Sequence, residues 1–368
     1  MSISSANPAT SDPSPLIKVL IVDDSAFMRY SITHHLEGNS KIQVIGTAKN
    51  GVEALELIPK LNPDVITMDI EMPQLDGIST LREVMKKYPR PVIMLSSLTH
   101  EGSEATITAL TIGAVDFVPK PAQKANINEV MDEVASKILR AATVKVKPQI
   151  PAAYDLVPPI KVTNKAVIRP LGKKDPIVMI GSSTGGPRAL SRVLSNLPID
   201  LPAAVAIVQH MPAGFTNSLA ARLNSECALT VKEASEGDRL EVGKILLAPG
   251  GYHMTFTDRG VVALNQNPTV HGVRPAVDVT LISLINSFGT NVTTAILTGM
   301  GNDGTNGSSL LHGMGGAVIA EHESSCVVYG MPRSVVEAGA ADEVVPIDQI
   351  ANSIYLQTKK MVRHLEKE

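Results

Sequence analysis

The chain has 368 residues, too many for one ordinary hydrophobic core, so two domains are expected. Hydrophobic residues make up 44% and charged residues 19%, a globular balance that excludes wholesale disorder. A formal net charge of -3 gives no general attraction to DNA or to an anionic membrane, and with no Trp and 3% aromatic residues the chain lacks stacking platforms for single-stranded nucleic acid. Cys227 and Cys326 are too few for a disulfide framework and fit a reducing compartment. The polar, Pro/Ser-rich start has no signal-type apolar stretch, and no apolar window is long enough to span a bilayer. A cytoplasmic protein without membrane insertion or nucleic-acid binding is expected.

Beyond a flexible tail at 1–16, short apolar runs at 18–22, 42–48, 65–68, 92–95 and 116–118 read as strands. Amphipathic segments at 26–36, 52–61, 78–87, 104–112 and 127–139 read as the helices between them. Alternation of this kind predicts a five-stranded doubly wound parallel sheet over residues 17–141. Residues 142–175 carry five prolines and an excess of lysine, and read as an extended basic linker. A second α/β alternation fills 176–368, with strands at 177–180, 204–208, 244–247 and 294–297 and helices at 188–197, 216–223 and 279–287.

Parallel sheets carry their chemistry at the carboxyl ends of the strands. In the first domain Asp23 and Asp24 follow the first strand, Asp69 the third, Ser96 and Ser97 the fourth and Lys120 the fifth. Three carboxylates in one crevice repel one another unless a divalent cation sits among them, and hard oxygen ligands suit Mg²⁺. A carboxylate can then attack a phosphoryl group, while a hydroxyl and a lysine hold the new phosphate oxygens.

In the second domain a strand runs into Gly181-Ser182-Ser183-Thr184-Gly185-Gly186-Pro187 and then a helix, which satisfies G-x-S-x-G at Ser183. The loop lacks the Lys-Ser/Thr pair of a phosphate cradle and the G-x-G-x-x-G of a dinucleotide site. His210 ends the next strand on the same rim; His253 and His271 are loop alternatives, and His312 falls on a helix. Asp303, in the glycine-rich turn after a later strand, is the natural carboxylate to orient the imidazole, although Asp-Gly is also an ordinary turn pair.

The set Asp23-Asp24, Asp69, Ser96 and Lys120-Pro121 resembles a response-regulator receiver domain. The resemblance implies that Asp69 accepts the phosphoryl group, that Asp23, Asp24 and Asp69 bind Mg²⁺, and that Ser96, Lys120 and Phe117 are switch residues. GSSTGGP, QHMPAGFT, LAPGGYHM, LTGMGNDG and SCVVYGMPR resemble the catalytic domain of the chemotaxis protein-glutamate methylesterases, the CheB family. That resemblance implies a Ser183–His210–Asp303 triad with Thr184 and Met300 nearby and no cofactor for ester hydrolysis. It implies methylated chemoreceptors as substrate, glutaminase activity, and a histidine kinase as phosphodonor. Ser182 adds a second hydroxyl beside the nucleophile. A receiver joined to an inactive scaffold and a DNA-binding regulator are the alternatives; the latter lacks any basic helix-turn-helix segment.

Overall fold

The computed structural model describes residues 15–97, 99–120, 127–144, 146, 165–172 and 174–365. The expected tail and most of the expected linker lie outside these residues.

The first alternation folds as β1 (Ile17–Val22), α1 (Ala26–Glu37), β2 (Ile42–Ala48), α2 (Gly51–Leu61), β3 (Val65–Asp69), α3 (Gly77–Lys87), β4 (Val92–Ser96), α4 (His100–Ile112), β5 (Asp116–Pro119) and α5 (Ile127–Ala141). Its strands pair in parallel in the order β2-β1-β3-β4-β5. Helices on both faces bury β3 and β4 completely, which is why these strands read as unbroken apolar runs. Side chains of Ser25, Asn50, Asp76 and Thr99 accept backbone N–H groups at the starts of α1 to α4 and fix where each helix begins. The strand order reverses between β1 and β3, and that switch point opens a crevice at their carboxyl ends.

The second unit starts earlier in the chain than its first apolar run. β6 (Arg169–Pro170) pairs antiparallel with β10 (Glu241–Val242), and the Lys165 ammonium donates to the carbonyls of Asn224, Cys227 and Leu229. The described end of the basic segment is therefore attached chain. After it come β7 (Ile177–Ser182), α6 (Gly186–Leu194), β8 (Ala204–Gln209), α7 (Phe215–Glu226), β9 (Thr230–Glu233) and β11 (Lys244–Leu247). The hairpin β12 (His253–Phe256) and β13 (Val262–Asn265), α8 (Val277–Phe288), β14 (Val292–Ile296), α9 (Thr305–Gly313) and β15 (Ala317–Glu321) follow. α10 (Met331–Glu337), β16 (Glu343–Val345) and α11 (Ile347–Leu365) complete the unit.

Seven strands pair in the order β16-β15-β14-β7-β8-β11-β9, each pair parallel. β7, the first of them in the chain, lies between β14 and β8, so the order reverses at its edge. The sheet thereby brings three far-separated strand ends to one crevice.

The two units share a packed boundary. α4 lies against α6 and α7, and one apolar cluster continues from Met94, Ile107 and Phe117 to Met211, Phe215 and Leu219. The buried rings of Phe117 and Phe215 meet at 4.5 Å between centroids with a 47° tilt.

Candidate functional site

β7 delivers its last residues into a turn that only small residues fit. Gly185 caps α6 at φ +79, and a Cβ there would lie 2.6 Å from Val327 Cβ. The turn separates the two serines. Ser182 is fully buried, and its hydroxyl donates to Gln209 Oε1 at 2.7 Å. Ser183 is half-buried and lines a cleft of about 410 Å³ together with Thr184, Gln209 and His210.

Gln209 ties the ends of β7 and β8 together. Its Nε2 donates to the carbonyls of Ser183 at 2.9 Å and His210 at 3.0 Å, while the His210 N–H donates to Ser182 O at 3.0 Å. On the other side Ser183 N–H donates to Thr298 O at 3.0 Å, and the Thr298 hydroxyl donates to Thr184 O at 3.1 Å. A Cβ on Gly299 would stand 2.8 Å from Ser183 Cβ, so glycine lets the turn after β14 pack directly on this serine.

His210 Nε2 and Asp303 Oδ2 are 2.7 Å apart. Asp303 is 1% exposed and also accepts the N–H groups of Val277 at 2.6 Å and Asp278 at 2.9 Å. Burial works against its charge, but the His210 donor and charge and these two N–H groups together hold its pKa below the ordinary carboxylate value. An ionised Asp303 is acceptor-only, so His210 Nε2 is the donor of this bond and carries a proton.

The other candidate histidines have different hydrogen-bond partners, although His271 Nε2 also lies 3.9 Å from Asp303 Oδ1. His253 is buried at the start of β12, with Nε2 3.1 Å from Pro268 O. His271 bonds Asp278 at 2.9 Å, and His312 lies on α9, 3.0 Å from Asp342. Met300 is 43% exposed on the turn after β14 and does not line the cleft. Gln209 and Gly299 escaped the sequence reading; the only signal for them was their place within QHMPAGFT and LTGMGNDG.

The crevice of the first sheet gathers the acids. Carboxylate oxygens of Asp23, Asp24 and Asp69 lie within 4.8 Å of one another. Lys120 Nζ is 2.7 Å from Asp69 Oδ2 and 3.2 Å from Asp23 Oδ2. Burial pushes Asp69 up to about 6 and raises Asp23 as well, despite the opposing pull of Lys120. Burial disfavours the charge on Lys120, but Asp69 and Asp23 together raise its pKa. Asp23 Oδ2 is buried without an aligned hydrogen-bond donor. Three converging carboxylates, one with an oxygen lacking an aligned donor, fit a small divalent cation. Ser96 is spent on α4: its hydroxyl donates toward Gly102 O at 3.1 Å and accepts from Thr106 Oγ1 at 2.5 Å.

Family models match both halves: a response regulator receiver domain over residues 19–132 and a CheB methylesterase over 178–354. A relative from Symbiobacterium thermophilum, named protein-glutamate methylesterase/protein-glutamine glutaminase, is 50% identical over 92% of this chain and 96% of its own. The chain belongs to the CheB methylesterase family. A CheB relative from Pyrococcus abyssi with the same name is 43% identical over 94% of this chain and 95% of its own. The CheB catalytic-domain crystal structure from Thermotoga maritima is 46% identical, covers 49% of this chain and 97% of that chain, and superposes with a TM-score of 0.48. Among the described residues of this CheB-family chain, no helix is long and apolar enough to cross a membrane.

Proposed function

We propose that the chain hydrolyses γ-methyl esters of glutamates on chemoreceptors, releasing methanol, and deamidates receptor glutamines by the same route. The observation that carries this reading is the buried His210–Asp303 pair at 2.7 Å on the cleft rim that also holds Ser183. Ser183 is the nucleophile. His210 takes its proton at Nδ1, because Nε2 is held by Asp303, and returns it to the leaving methanol or ammonia. Asp303 fixes the tautomer and stabilises the protonated ring. Ser183 N–H is bonded to Thr298 O, Gly186 N–H is bonded to Ser183 O and Pro187 has no N–H, so the oxyanion is held by N–H groups of the turn between Ser183 and α6. Thr184 borders the nucleophile. Water then frees the acyl-enzyme, and ester hydrolysis needs no cofactor.

Control comes from the receiver. A histidine kinase in the cytoplasm supplies the phosphoryl group, and Asp69 accepts it. Asp23, Asp24 and Asp69 would hold Mg²⁺, which when bound neutralises charge on the phosphoryl oxygens. Phosphorylated Asp69 draws in Ser96 and Lys120, and Ser96 must leave its bonds to α4 to respond. That helix packs on α6 and α7, so the change reaches the boundary between the units. In the resting form Thr184 Oγ1 donates to Asp116 Oδ2 at 2.9 Å, and the cleft is walled by both units. Phosphorylation loosens this boundary and opens access to Ser183. A shift of about 1.4 kcal/mol changes such a two-state balance tenfold.

The test is methanol release from methyl-labelled receptor membranes, with and without acetyl phosphate. Release that depends on Ser183 and rises with phosphodonor is expected. Release unaffected by Ser183→Ala defeats the reading.

A further inference from the structure

The cleft at Ser183 has walls of different charge. Among its lining residues from the hydrolase unit, Arg274 is the one with a permanent charge. Its guanidinium is fixed in place: Nη1 donates to the carbonyls of Gln266 and Asn267, both at 2.8 Å. The backbone there is pinned as well, with Gly251 N–H donating to Arg274 O at 3.1 Å. Nε is buried and has no partner. With Nη1 committed, the edge formed by Nε and Nη2 is left, and two parallel N–H groups on that edge match the two oxygens of a carboxylate.

The receiver side of the cleft also carries carboxylates. The receiver contributes Asp116 and Glu133 to the same cleft, and Asp116 reaches the Thr184 hydroxyl next to Ser183. The receiver also contributes Lys137, 3.0 Å from each of these acids, and Arg140, so its wall carries two acids and two bases. When the receiver moves away, its acids and bases leave the cleft together and the hydrolase wall keeps Arg274.

We infer that Arg274 is a specificity residue: its Nε–Nη2 edge receives the carboxylate of an acidic side chain that the substrate carries beside the target glutamate. This rests on the esterase reading and deepens it. The chemistry has a further consequence. Each ester hydrolysed leaves a new carboxylate, so a completed reaction makes the neighbouring ester a better substrate, and clustered esters are cleared with rising efficiency.

Two synthetic helical peptides test it, each with one glutamate γ-methyl ester, one flanked by glutamates and the other by glutamines. The full chain, activated with acetyl phosphate, should hydrolyse the glutamate-flanked peptide with kcat/KM roughly tenfold or more above the other, the range of a charge-assisted hydrogen bond. The difference should lie in KM. Arg274→Gln should bring the ratio near one, and Arg274→Lys, which keeps the charge without the fork, should fall between. Melting temperatures establish that each variant is folded. Fluorescence anisotropy of both labelled peptides on the Ser183→Ala chain gives the same ratio without turnover. A wild-type ratio near one, or an Arg274→Gln ratio equal to wild type, overturns the inference. Methanol release from either peptide reads the esterase activity on its own, so the two ideas fail separately.

Discussion

Replacing Asp303 by Asn is the sharpest test of the hydrolase chemistry, because the substitution is isosteric and its consequences can be worked from the hydrogen bonds. Asp303 Oδ2 accepts from His210 and Val277, and Oδ1 accepts from Asp278, so three N–H donors meet two oxygens. An amide has one oxygen. If that oxygen keeps His210 and Val277, its NH₂ opposes the Asp278 N–H, and a buried donor goes unpaired at about 1–3 kcal/mol. If the amide turns over, its NH₂ faces His210, Nε2 must become the acceptor, and Nδ1 holds the proton it should be taking. The corresponding change in another serine hydrolase lowers kcat by about 10⁴, which is roughly 5.4 kcal/mol at 1.36 per decade. Expected here is a fall of about 10³–10⁴ in kcat with KM changed only a few-fold, read as methanol release after activation with acetyl phosphate. The melting temperature should drop by a few degrees, at about 2–4 °C per kcal/mol for a unit of this size. The pH dependence has a fixed sign. Asp303 is held below its ordinary value of 3.8, so its contribution is fully present above that pH and is lost as pH falls through the native value. The stability gap between wild type and variant should therefore be constant near neutrality and narrow only in strong acid. A variant within tenfold of wild-type kcat would mean that Asp303 merely builds its turn.

Ser183→Ala should abolish methanol release, a loss on the order of 10⁶ in turnover, whereas Ser182→Ala, which breaks a buried bond to Gln209, should lower stability by about 1 kcal/mol and leave turnover measurable. The reverse result would move the nucleophile to Ser182. Asp69→Asn should take no label from acetyl phosphate and Mg²⁺ and should show no activation; stable labelling would put the acceptor elsewhere. A fragment from residue 165 to the C-terminus should hydrolyse substrate faster than the unphosphorylated full chain and ignore phosphodonor. A fragment no faster than the resting chain would replace occlusion by positive activation or recruitment. A shorter fragment starting at residue 175 lacks β6 and the Lys165 contacts and should melt lower.

Much of this was legible in the chain. Central strands of a parallel sheet are buried on both faces, so β3, β4, β7 and β8 announce themselves as apolar runs, and each leads into candidate site residues. β2 and β5, at the edges of the first sheet, were still apolar enough to be read, but several strands of the second unit carry no such mark. β9, of sequence Thr-Val-Lys-Glu, and β16, of sequence Glu-Val-Val, are too short and too polar to stand out, and the hairpin of β12 and β13 lies outside the main sheet. The pairing of Arg169–Pro170 with a strand about seventy residues later hid in a stretch whose prolines and lysines look like free linker. The turn motif left two serines open; Gln209 separates them by accepting the Ser182 hydroxyl, a contact spanning 27 residues. Docking of Phe117 on Phe215 was invisible for the same reason: nothing local specifies which surface a buried ring will meet.

The place of β7 between β8 and β14 also has a bearing on how the protein is made. Thr294 on β14 touches Met179 on β7 across 115 residues of chain, a contact that a growing polypeptide forms late. Asp303 lies beyond even that point. A chain synthesised only as far as α7 can build β7, β8 and the serine turn, but its His210 lacks Asp303 until β14 and the turn after it have been added and docked. Such a chain carries the nucleophile without the means to activate it. On the proposed mechanism, nascent or partly unfolded molecules hydrolyse esters far more slowly, and full hydrolytic competence doubles as a report that the sheet has closed around its centre.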